Sequence, residues 1–255
     1  MSTDASSPAL AALLATTPAR LAIGRAGPRQ RTRAYLAGVA DHARARDAVT
    51  TEVPATFVRK LGLVEIATRA ATRADYLRVP ALGRTLAPVS LARLRRCRRR
   101  PEVQLALADG LSSAAAVTNG GALLRALTRL LRARGRRLGT PLFVRNGRVR
   151  IQDEIGAILE PEVFCLIVGE RPGLATAESL SAYVLYKPSR RSAEPDRSVI
   201  SNIHRDGLPP ARAAHAIADL IDEIRAHQAS GSALAAAQSG AVAPPRASHR
   251  PIPSR

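Results

Sequence analysis

Apolar residues first recur with helical spacing between residues 29 and 48. Tyr35, Leu36, Val39, Ala40 and Ala43 share one side, and Arg31, Arg33, Asp41, Arg44 and Arg46 supply the polar sides, which predicts an amphipathic helix. Upstream, the apolar residues 9–14 sit among Ser, Thr and Pro and read as a short leader or a single turn of docking helix. Pro54 suits the opening of a short helix through Phe57, Leu61 to Ile66 suits a short strand, and Pro88 starts a helix running into LRRCRRR. Residues 75–84, with Pro80 and Gly83, read as a loop.

The pattern changes at Pro101. VQLALA predicts a strand ending in the turn Asp109-Gly110-Leu111-Ser112-Ser113, and a helix follows. Its Leu123, Leu124, Leu127, Leu130 and Leu131 share one face and Arg125, Arg129, Arg132 and Arg136 the other, with Gly135 placed to end it. LFVRNGRVRI predicts two strand pieces about Asn146-Gly147, a hairpin signal, with Asp153 as cap of the next helix. VFCLIVGE is an unbroken apolar run of the kind found in strands covered on both faces, and AYVLY predicts another strand. A last helix opens at Pro209-Pro210 and buries Ile217, Leu220, Ile221 and Ile224.

Four segments follow: a leader over 1–20, a mostly helical N-terminal region over 21–100, an α/β domain over 101–230, and a disordered tail over 231–255. The fold class is α/β, with a Rossmann-like layered sheet and helices in the C-terminal part. Ligands of such sheets bind at the carboxyl ends of the strands.

Composition and charge narrow the function. The 255 residues carry 39 Lys and Arg against 20 Asp and Glu, a formal net charge of +19. Such an excess points to nucleic acid or another acidic partner. Only Lys60 and Lys187 are lysines, however, and the arginine accompanies abundant Ala, Leu and Pro, as GC-rich coding produces. Aromatic residues make up 3% and Trp is absent, leaving few platforms for stacking single strands. No apolar run reaches the length that crosses a bilayer, and MSTDASSPAL lacks a secretory signal's charged start and cleavage box, so a cytosolic protein is expected.

The usual nucleotide cradles are missing: there is neither G-x-G-x-x-G after a strand nor G-x-x-x-x-G-K-[ST]. The five histidines and two cysteines, Cys97 and Cys165, show no metal-ligand spacing, so no protein-bound metal is expected and both cysteines are read as free thiols. Ser112 and Ser181 lie near turns without G-x-S-x-G around them and are read as helix caps.

What remains is a set of unusual turns: IGRAGPRQRT at 23–32, DGLSS at 109–113, GERPGL at 169–174 and ISNIHRDGLPP at 200–210. In this order, with FVRNGRVRIQDEIGAIL and ESLSAYVLY between them, they closely resemble the small subunit of ethanolamine ammonia-lyase over residues 18–230. The resemblance implies a hetero-oligomer with a large subunit that binds ethanolamine, adenosylcobalamin held between the two chains, and no catalytic residue on this one. In that family, homolysis of the cobalt–carbon bond gives a radical that abstracts hydrogen from ethanolamine; the amino group migrates, and acetaldehyde and ammonia leave. A bacterial cytoplasm, or a microcompartment within it, is the implied location, with no nucleic acid or membrane as partner.

The family's cofactor contacts carry over by motif to Val149 in GRVRIQD, Glu170 in GERPGL and Val199 just before ISNIH. The family pattern has cysteine at the last position, so no thiol contact is expected from Val199. On residue chemistry alone, Glu170 suits satisfying backbone donors or pairing with an arginine; the resemblance assigns it instead to cobalamin's amides or ribose hydroxyl. Pro172-Gly173 is read as a type II turn that leaves the carboxylate at the sheet's ligand edge. Asn202-Ile203-His204-Arg205-Asp206-Gly207 resembles the D-x-H-x-x-G signature by which other cobalamin proteins place histidine on cobalt, but lacks the orienting aspartate. His204 is therefore read as a turn residue or polar contact. The competing readings are a nucleic-acid binder using Arg95, Arg96, Arg98, Arg99, Arg100 and residues 132–137, and a purely structural subunit.

Overall fold

Period-two alternation decides how the central strands are covered. A computed structural model describes residues 7–17 and 20–240. In β4 (Val103–Ala108), Leu105 and Leu107 face one apolar cluster while Ala106 and Ala108 face a second. In β6 (Val163–Gly169), Cys165 and Ile167 join the first cluster while Phe164, Leu166 and Val168 join the second. Every residue of both strands is buried, as their unbroken apolar sequences require.

These strands lie within a six-stranded sheet ordered β3-β5-β4-β6-β7-β8. The other members are β3 (Val64–Ala67), β5 (Leu142–Arg145), β7 (Leu180–Tyr186) and β8 (Ser198–Ile203). The pairs β3–β5, β5–β4 and β4–β6 are parallel, and β6–β7 and β7–β8 are antiparallel. A separate two-stranded ladder, β1 (Arg25–Ala26) with β2 (Arg29–Gln30), precedes the sheet.

Helices cover both faces. The first cluster contains Leu123, Leu127 and Leu131 of α7 (Gly121–Ala133) and Ile217, Ile221 and Ile224 of α9 (Pro210–His227). The second contains Leu94 of α5 (Pro88–Arg95) and Ile151, Ile155 and Leu159 of α8 (Ile151–Leu159). Between β4 and α7, the short α6 (Ser113–Ala115) leads into a π-helical turn over Ala116–Gly120. Ser112 caps α6 as expected, its Oγ accepting from the Ala115 amide at 3.0 Å.

The leader holds α1 (Pro8–Ala15), and the N-terminal region holds α2 (Thr32–Thr50), α3 (Ala55–Lys60) and α4 (Arg73–Arg78) besides α5. That region also supplies β3 to the sheet, so the ladder crosses the boundary expected at residue 101. The helix expected over 29–48 exists as α2, but its apolar side is turned outward: Tyr35, Leu36 and Val39 are 60%, 57% and 50% exposed. Only Asp41 and Ala48 of α2 are buried.

Four local expectations are corrected. Asn146-Gly147 is not a hairpin tip: β5 runs parallel to its neighbours, and the chain passes directly into α8. Asp153 does not cap α8; it forms an ion pair with Arg197 in the interior and meets Arg150 at 3.3 Å. The loop expected over 75–84 begins inside α4, because Thr72 and Asp75 close a capping box upstream of Pro80. The tail expected beyond Gly231 starts instead with α10 (Gly231–Ser239), anchored by buried Leu234 and Ala236; residues 241–255 lie outside the described residues.

Candidate functional site

Because α7 follows β4 on one face and α8 follows β5 on the other, the loops after these two adjacent strands leave in opposite directions. That divergence opens a crevice beyond their carboxyl ends. The crevice is a cavity of about 400 Å3. Its walls include Leu111 after β4, Arg148 and Val149 after β5, Glu170 after β6, and Ser181 and Tyr183 on β7.

Buried polar contacts fix the strand ends that form the rim. The Asp109 carboxylate at the end of β4 accepts the amides of Asn146 at 3.1 Å and Gly147 at 3.4 Å, pinning the end of β5 beside it. Burial pushes Asp109 above the usual carboxylate range despite these donors and the nearby Arg73 and Arg145. Asn146 takes a left-handed φ of 55°, which asparagine tolerates, and its Nδ2 donates to the Ala70 carbonyl at 3.0 Å.

The far wall is a stack. Tyr76 of α4 is 1% exposed, and the guanidinium carbons of Arg73 and Arg148 stand 4.6 Å and 4.2 Å from its ring centroid. Burial pushes the Tyr76 phenol up to about 12, so it stays protonated and donates to the Gly147 carbonyl at 3.4 Å. The Tyr183 phenol is also raised, by burial first and then by the charge of Glu170.

Glu170 stands half-buried just past the end of β6. Its Oε1 accepts from the Ser181 hydroxyl and from the Asn202 amide at 3.4 Å. Among the described residues both hydrogen bonds to the carboxylate end on Oε1, which leaves Oε2 as an acceptor for a ligand. No arginine pairs with Glu170 among the described residues, in contrast to Glu160, which meets Arg99 and Arg100. The loop after Glu170 is tied to the helix start beneath it: Ser112 Oγ donates to the Ala177 carbonyl at 2.5 Å and Asn119 Nδ2 to the Glu178 carbonyl at 2.8 Å. Gly173 does not adopt the left-handed φ of a type II turn; its amide instead donates to the Thr176 carbonyl at 2.9 Å.

Of the three sequence-derived contacts, the structure brings Val149 and Glu170 into one cavity. Val199 does not line it. It lies 45% exposed on β8, opposite Tyr183 and two residues before Ser201, both of which do line it, so it extends the same sheet face outward. His204 bonds Asn202 Oδ1 through Nε2 at 2.8 Å within its turn. Ser181 is not a helix cap: it sits on β7 and serves Glu170. Tyr76, Arg148 and Tyr183 were not singled out by sequence; the alternation Ser181, Tyr183 along a strand next to GERPGL is the one signal that pointed to this wall.

The chain is thus an α/β protein with a carboxylate-bearing crevice at the edge of its sheet where ligands of such folds usually bind. The model of the ethanolamine ammonia-lyase light chain family matches residues 7–235, and the chain belongs to that family. It is thus the light subunit of a carbon–nitrogen lyase of ethanolamine degradation, and a light chain has a large subunit as its partner in the enzyme. No helix among the described residues is long and apolar enough to cross a membrane.

Proposed function

We propose that the crevice at the ends of β4, β5 and β6 holds part of an adenosylcobalamin shared with the large subunit, within a 101–230 unit of Rossmann-like type. The observation that carries this reading is the Glu170 carboxylate, oriented through Oε1 with Oε2 left to accept. The chemistry of the walls fits a corrinoid. A corrinoid's amide side chains and ribose hydroxyls would offer donors to Glu170, Val149 would offer apolar surface inside the cavity, and Val199 would offer it on the sheet face beyond. A cavity of about 400 Å3 encloses a portion of so large a cofactor, in keeping with a second chain covering the rest.

When bound, adenosylcobalamin supplies the homolysable cobalt–carbon bond on which ethanolamine deamination depends. The residues of this chain bind and orient: Glu170 accepts, Val149 excludes water, Val199 extends the apolar sheet face beyond the cavity, and the Tyr76–Arg148 stack stiffens the opposite wall. Ethanolamine itself is assigned to the large subunit, and the complex to the bacterial cytoplasm. The arginine runs favour this reading over nucleic-acid binding, because Arg99 and Arg100 are paired with Glu160, and Arg134 and Arg136 with Asp222.

The test is Glu170→Gln in the reconstituted two-chain complex. The amide keeps the shape but exchanges a charged acceptor for a neutral one, so cobalamin affinity falls by about tenfold, a loss of about 1.5 kcal/mol. Unchanged affinity removes Glu170 from the site.

A further inference from the structure

The ladder between β7 and β8 is irregular at one place. Leu180 pairs with Ile203 and Ala182 with Ile200, so Ser181 stands alone opposite two residues, Ser201 and Asn202. This is a β-bulge, and Asn202 within it has a left-handed φ of 60°. Bulges next to binding sites re-aim groups that a regular ladder would point elsewhere. Here the extra residue aims the Asn202 amide at Glu170 Oε1, 3.4 Å away, and sets the Ser201 hydroxyl 2.9 Å from Ser181 Oγ.

A hydroxyl has one proton, which fixes the direction of the chain of bonds. Ser181 donates its proton to the Glu170 carboxylate, so at its own oxygen it accepts from Ser201. Ser181 is 2% exposed, and Glu170 and Ser201 take up its donor and acceptor. Glu170, in contrast, is a long side chain just beyond a strand end, and its carboxylate samples several rotamers unless something holds it.

Resting on the cobalamin contact proposed for Glu170, we infer that Ser181 is a positioning residue that holds the Glu170 carboxylate toward the cofactor, with Ser201 and the bulged Asn202 amide behind it. Although Ser181 lines the cavity, its one proton is committed to the Glu170 carboxylate, so it acts through Glu170. Its contribution therefore exists only while Glu170 is present.

That dependence is measurable by a double-mutant cycle in the reconstituted complex, titrated with cyanocobalamin and read by absorbance of the retained corrinoid. Ser181→Ala weakens binding by about three- to tenfold, the range of one charge-assisted hydrogen bond. Ser201→Ala, one bond further away, weakens it less. In the Glu170→Ala background, Ser181→Ala produces no further loss. Equal loss in both backgrounds overturns the inference, since it means that Ser181 acts directly on the cofactor or on the fold. No loss from Ser181→Ala alongside a clear loss from Glu170→Ala overturns the positioning role and leaves the cofactor contact standing. Unchanged binding in Glu170→Ala removes the contact itself, and the positioning role with it.

Discussion

The Leu111 amide donates to the carbonyl oxygen of Gly169 at 2.9 Å, joining the turn after β4 to the last residue of β6 at the mouth of the crevice. Two glycines permit this approach. Gly110 takes a φ of 55°, and a β-carbon there would stand 2.8 Å from Val168 Cγ2 and 2.9 Å from the Gly169 nitrogen. A β-carbon on Gly169 would collide with the carbonyl oxygens of Asp109 and Ser112, which are backbone atoms and cannot rotate away.

Gly169→Ala therefore costs about 1–3 kcal/mol of stability and also disturbs the cavity, because the strand end must shift to relieve the collision. Urea unfolding of the light chain measures the first effect, and cobalamin affinity of the complex the second. A stability equal to wild type would contradict the close approach of the two strand ends.

Arg197, with a side chain 1% exposed, pairs with Asp153 of α8, whose side chain is 7% exposed, and so fastens the segment before β8 to the helix. Arg197→Met leaves Asp153 buried with only Arg150 near it, at a cost of about 3–5 kcal/mol. Replacing both residues, Arg197→Met with Asp153→Leu, restores most of that stability because no uncompensated charge remains. Chemical denaturation of the single and double variants checks this; a double variant no more stable than the single one would show that the pair is not the source of the loss.

The elements legible in the sequence are those whose periodicity depends on burial alone. The apolar runs of β4 and β6 and the leucine face of α7 appear in the structure where the pattern places them. Asn146-Gly147 misled because the turn signal is local whereas its partner is not: Asn146 is held by Asp109, 37 positions earlier. The side of α2 bearing Tyr35, Leu36 and Val39 is amphipathic in sequence yet lies outside this chain's core, since periodicity identifies an apolar face but not what covers it. Glu170 entered as a candidate contact only through the resemblance carried by GERPGL, because on its own chemistry a carboxylate there equally suits backbone donors or an arginine. Ser181 was not legible, because a serine's role on a strand depends on which residues the register sets beside it.

Asp109 gives the fold a distinctive pH dependence. Burial raises its folded pKa above the ordinary 3.8, so the folded chain binds its proton more tightly than the unfolded chain does. Its contribution is greatest below the unfolded pKa and is lost as pH rises through the folded one. Asp109→Asn does not titrate at this position. The stability difference between wild type and Asp109→Asn should therefore shift against wild type as pH rises from 4 through the neutral range. Unfolding curves of both proteins across that range test it, and a difference independent of pH would mean that the carboxyl titrates alike in both states.

The central claim is that the cofactor is held by both chains together, with Glu170 on this one. The most direct measurement is cobalamin retention after gel filtration of the light chain alone, the large subunit alone and the two combined. The mixture should retain the corrinoid and, with adenosylcobalamin, form acetaldehyde from ethanolamine, while the light chain alone forms none. Equal retention and turnover by the large subunit without this chain, or acetaldehyde from the light chain by itself, would contradict the account.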